Sequence, residues 1–72
     1  MATFAERLKE LRKARGKTQK QMGELLRLTE RTFRQYEAGG VDPPTSKTQI
    51  LADYFDVSTD YLLGRSDNPQ RQ

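Results

Sequence analysis

The 72-residue sequence has no cysteine, no histidine and no tryptophan. With neither thiol nor imidazole there is no disulfide framework, no zinc site of the usual ligands, and no Cys-His or Ser-His-Asp catalytic arrangement. The remaining side chains supply no nucleophile beside a base, so an enzyme is excluded, and neither a metal nor a cofactor is expected. No segment approaches the roughly 20 apolar residues of a membrane span, and the N-terminus lacks the apolar run of a secretory signal. A soluble cytoplasmic protein with no membrane partner is the expectation.

What is present is charge, unevenly spread. Residues 1–40 carry ten Lys/Arg against five Asp/Glu, whereas residues 41–72 carry three against five. The first half therefore suits an anionic partner, although basic helix faces also serve simply to keep small domains soluble. The length admits one core and no second domain.

Hydroxyl residues followed by apolar periodicity mark the helices. Thr3 and Glu6 have capping-box spacing, in which each side chain satisfies a backbone N–H at a helix start. Phe4, Leu8 and Leu11 then fall on one face, with Arg7, Lys9, Glu10 and Lys13 mostly on the others, up to a stop at Gly16. Thr18 caps a short second helix with Met22, Leu25 and Leu26 as its apolar stripe. Thr29 caps a third running to about Ala38, with Phe33 and Tyr36 inward and Gly39-Gly40 at its end. Pro43-Pro44 reads as loop, with Thr45 or Ser46 capping a fourth helix that bears Ile50, Leu51, Tyr54 and Phe55. Tyr61, Leu62 and Leu63 form a last short helix stopped by Gly64. Residues 1–64 thus form the domain, and residues 65–72 a polar tail, disordered or the remnant of a linker, because nothing in it can be buried.

The second and third helices and their short connection have the dimensions of a helix-turn-helix unit. Through Thr18-Gln19, Leu25-Leu26, Leu28-Thr29, Phe33, Tyr36-Glu37-Ala38-Gly39, Leu51-Ala52-Asp53-Tyr54-Phe55 and the run from Val57 to Gly64, the chain resembles the Cro/CI-type, or Xre-type, regulators of bacteria and phages. The resemblance covers about residues 4–64. It implies an all-α fold, a compact five-helix lambda-repressor-like DNA-binding domain with the helix-turn-helix at helices 2 and 3. It further implies a sequence-specific transcriptional regulator, expected to repress, that binds a double-stranded operator in the nucleoid. A homodimer on a two-fold symmetric site is expected, with half-sites about 34 Å apart.

The same resemblance places helix 3 (about 30–38) in the major groove, with Glu30, Arg31 and Gln35 toward base edges. Arg31 suits guanine O6 and N7, Gln35 suits adenine N6 and N7, and Glu30 can accept from cytosine N4. Glu30 is also at home simply as a dipole partner in an exposed first turn. Thr18 and Gln19 are implied phosphate contacts at a helix N-terminus, with Lys17, Lys20, Arg34 and Lys47 as candidates for further phosphate neutralisation. Arg12 and Glu37 match the positions of a structural ion pair between helix 1 and the end of helix 3. Leu63 and Tyr61 are the expected dimer surface, although Tyr61 and Leu62 can also close the core.

Some positions depart from the pattern. Arg27 stands where relatives place a turn glycine, a position that favours positive φ at a cost of about 1 kcal/mol to a side chain with Cβ; the alternatives are that this basic residue reaches the DNA backbone or that the second helix runs one residue longer. Gly23 replaces a usual alanine, with the bulky Phe33 expected to take up the space. Thr48 and Gln49 replace an aliphatic residue, so the first turn of helix 4 is expected to pack loosely, and Asp42 puts phosphate contacts from the preceding loop in doubt. A protein-binding module of the antitoxin kind is the competing function. RNA binding ranks lower because the aromatic residues point inward.

Overall fold

Hydroxyl side chains open four of the five helices in the computed structural model, which describes residues 3–70. Helix α1 (Phe4–Ala14) starts at Thr3, whose hydroxyl oxygen accepts the Glu6 N–H at 3.2 Å. The Glu6 carboxylate accepts from the Thr3 hydroxyl and not from the Thr3 backbone N–H, so the reciprocal capping box expected here is only half made. The complete box belongs to α2 (Gln19–Leu25), where Thr18 and Gln21 each accept the other's backbone N–H, at 3.1 and 2.9 Å. Thr29 opens α3 (Glu30–Ala38) and Ser58 opens α5 (Thr59–Leu62) in the same way. The exception is α4 (Thr45–Phe55): its cap is Pro44, and neither Thr45 nor Ser46 plays the part expected of it.

The stops follow left-handed backbone. Gly16, Gly39 and Gly64 have φ of 67°, 85° and 77°, and Asp56 ends α4 at 56°. Side chains with a Cβ pay for that region, which is why glycine dominates it. The expected all-α, five-helix arrangement is the one found.

The core gathers Leu8, Met22, Leu26, Phe33, Tyr36, Leu51, Ala52, Phe55, Val57 and Leu62. Leu25 and Ile50, both read as inward, remain 41% and 40% exposed beside buried Leu26 and Leu51. Neighbours on a helix diverge by about 100°, so one of each pair must turn outward. Thr48 takes the buried place left by the missing aliphatic residue, and its hydroxyl donates to the Pro44 carbonyl at 3.3 Å, so the first turn of α4 is closed by a hydrogen bond instead of being loose. Arg7, assigned to an outer face, is 6% exposed.

Two residues shape the α2–α3 turn. A Cβ on Gly23 would lie 3.0 Å from the Leu28 carbonyl oxygen and 3.2 Å from that of Thr29, so the turn's own backbone occupies that space. The Leu28 N–H donates to the Gly23 carbonyl at 2.7 Å, which holds the close approach. Arg27 has φ 58°: α2 does not extend, and the turn takes the left-handed residue despite its side chain.

Residues 65–70 lie against the body through polar bonds, among them Ser58 N–H to the Pro69 carbonyl at 3.0 Å and Arg65 N–H to the Asp60 carbonyl at 2.9 Å. The expectation of a free tail rested on its lack of apolar groups; hydrogen bonding is what holds these six positions, and positions 71–72 lie outside the described residues. The strain at Arg27 yields a prediction. Arg27→Gly should stabilise the fold by about 1 kcal/mol, raising the melting temperature by roughly 4–8 °C in a thermal scan followed by circular dichroism.

Candidate nucleic-acid interface

Helices α2 and α3 pack more extensively on each other than any other pair. Phe33 and Tyr36 anchor α3 inward, which turns Glu30, Arg31, Arg34 and Gln35 to solvent. Arg31 and Gln35 are one turn apart on the same face. Their side chains make no hydrogen bond or ion pair among the described residues, so their donors are available to a ligand.

Behind that face runs a continuous polar chain. Arg12 and Glu37 form a bidentate pair, Nε to Oε2 at 2.6 Å and Nη2 to Oε1 at 3.2 Å, with the Glu37 side chain only 4% exposed. The third arm of the guanidinium, Nη1, donates to the Lys17 carbonyl at 2.9 Å. Gln19 Nε2 donates to Glu37 Oε1 at 3.0 Å, which aims the amide oxygen outward to accept from Arg34 Nε at 3.3 Å. Arg34 in turn pairs with Glu30 at 3.0 Å. Five expected site residues, Arg12, Gln19, Glu30, Arg34 and Glu37, are thus brought into one network linking α1, α2 and α3.

The other expected residues divide. Thr18 caps α2 and Lys20 is exposed beside it. Lys47 points elsewhere: its ammonium donates to the Leu26 carbonyl at 2.8 Å and so caps the end of α2 at the turn. No local signal shows this, because the two groups are 21 positions apart. Tyr61 and Leu63 are half-buried, and the Arg7 guanidinium lies 3.8 Å from the Tyr61 ring centroid, covering one face of the expected dimer residue. Among the described residues there is no acidic cluster that would hold a metal, and no helix is long and apolar enough to cross a membrane.

A protein family described as a helix-turn-helix domain matches residues 3–63. An uncharacterized HTH-type transcriptional regulator of Bacillus subtilis, YobD, is 41% identical over 92% of this chain and 59% of its own length. The HTH-type transcriptional regulator ImmR of the same organism is 38% identical over 90% of this chain and 51% of its own. The chain therefore spans just over half the length of these curated relatives. The crystal structure of a transcriptional regulator from Listeria innocua superposes with a TM-score of 0.83 at 40% identity, covering 86% of this chain and 58% of that one. The P22 c2 repressor, crystallised with a synthetic operator, shares the fold at a TM-score of 0.83 and 23% identity, over 92% of this chain and all of that one.

The buried pair makes a sharp energetic forecast. Glu37→Ala should lose about 3–5 kcal/mol, because it strands the Arg12 charge in a poorly hydrated place. The double variant Arg12→Met, Glu37→Met should recover most of that loss, since no charge is left unpaired. Urea unfolding of the three proteins measures both.

Proposed function

The chain belongs to the helix-turn-helix domain family, whose members similar to it are transcriptional regulators and not enzymes, and from that premise we propose that it reads a specific double-stranded operator through α3. The observation that carries the proposal is the outward pair Arg31 and Gln35, unpartnered on a helix whose opposite face is fixed in the core. Arg31 bonds guanine O6 and N7 and Gln35 bonds adenine N6 and N7, each such pair discriminating by about 1–3 kcal/mol. Glu30 keeps one carboxylate oxygen free of Arg34 and accepts from cytosine N4.

Thr18, Lys20 and Arg34 face the phosphates beside the N-terminus of α2, where the helix dipole favours an anion, and Gln19 contributes its backbone N–H, its side chain being held between Glu37 and Arg34. Lys47 acts indirectly, by holding the turn through the Leu26 carbonyl. The regulator represses, as a homodimer on a two-fold symmetric operator, with Leu63 and the uncovered face of Tyr61 at the contact. It works in the cytoplasm, at the nucleoid.

Selection of bound duplexes from a random DNA pool tests this. The native chain should enrich a symmetric site, and Arg31→Ala should relax one position in each half by about 1–3 kcal/mol. Failure to enrich any sequence, with weak binding lost in moderate salt, would sink the regulator and leave a protein-binding module. The salt dependence of binding separates the lysines. Lys20→Gln should lower the slope of log affinity against log salt by about 1, whereas Lys47→Gln should leave the slope unchanged and lower the melting temperature.

A further inference from the structure

The buried Arg7 is the charge that the DNA-binding face does not use. Its side chain is 7% exposed, packed on Tyr61 of α5. Nη1 donates to the Ser66 carbonyl at 3.4 Å, Nη2 reaches Asp67 Oδ1 at 3.3 Å, and Nε has no hydrogen-bond partner. A guanidinium withdrawn from water is costly unless ring faces, carbonyls and carboxylates replace its hydration. Here every replacement comes from residues 61–67, none from α1 itself.

We propose that Arg7 and Tyr61 form a carboxylate-binding socket whose occupant is the chain's own Asp67, and that its closure fixes the direction in which the polypeptide leaves the domain. The neighbouring bonds work to the same end. Ser58 N–H donates to the Pro69 carbonyl at 3.0 Å and the Ser58 hydroxyl to the Asn68 carbonyl at 3.4 Å. They hold the segment as one wall of an open polar recess of about 400 Å³, with α4 and α5 forming the others. Asp67 is 81% exposed and both Arg7 bonds are long, so the socket closes weakly and reopens. Gly64, at φ 77°, sits where the chain turns back toward Arg7. Neither α2 nor α3 takes part, so the inference stands independently of DNA reading.

Hydrogen exchange on the 72-residue chain provides the test, with the Ser58 amide as reporter. Its acceptor, the Pro69 carbonyl, is in place only when the segment is docked, and position 67 is too remote in sequence to alter its intrinsic exchange rate. Asp67→Asn, and separately high salt on the native chain, should speed Ser58 exchange by up to about fivefold. The α3 and α4 amides should be unchanged. Arg7→Lys, which keeps the charge without the planar fork, should act in the same direction. An unaltered Ser58 rate in Asp67→Asn, a Ser58 rate already that of a free chain in the native protein, or a rise shared by the α3 and α4 amides would each overturn the proposal.

Discussion

The Arg12–Glu37 pair is the constraint on which the arrangement of this domain depends. It spans α1 and α3, its third guanidinium arm reaches the Lys17 carbonyl at the entry to α2, and its carboxylate orients the Gln19 amide. Three helices are thereby registered by one charged centre. Pairs of this kind are not efficient stabilisers, since apolar residues of similar size often serve as well. What an apolar contact lacks is direction. A bidentate pair has one good geometry, and that geometry passes through Gln19 to the exposed Arg34.

Elements whose causes are local were legible in the sequence. Thr18, Thr29 and Ser58 precede their helices by the spacing that lets a hydroxyl meet a backbone N–H, and Gly16, Gly39 and Gly64 stand where only a left-handed residue ends the turn. Phe33 and Tyr36 were readable as core for the same reason, and with them the outward face of Arg31 and Gln35. The resemblance to Cro/CI-type regulators supplied the Arg12–Glu37 pairing, which no spacing rule reaches across 25 positions. What stayed hidden depends on partners far along the chain. Lys47 reads as a surface cation until the Leu26 carbonyl appears beside it, and Arg7 as a solvated residue until Tyr61 and Ser66 close over it. Leu25 and Ile50 lie outward beside Leu26 and Leu51, and adjacent apolar residues give periodicity no way to choose between them.

The α2–α3 turn combines a permissive residue with a strained one. Gly23 admits the Leu28 and Thr29 carbonyls to contact distance, and Arg27 takes a backbone conformation better suited to glycine. The Lys47 ammonium on the Leu26 carbonyl reaches the same turn from α4. The connection is therefore tight for reasons spread over three elements, and the angle at which α3 is presented follows from all of them.

The Glu30–Arg34 bridge gives the exposed helix an internal competitor. In the free protein Arg34 is already partly neutralised, so a duplex must offer it something better than a carboxylate one turn away. On the proposed reading, phosphate alone offers Arg34 a partner but offers the released Glu30 carboxylate no hydrogen-bond donor, and the bridge stays shut. On the same reading, a sequence that gives Arg34 an acceptor and Glu30 a donor opens it, so a surface ion pair worth little to folding becomes a threshold for discrimination.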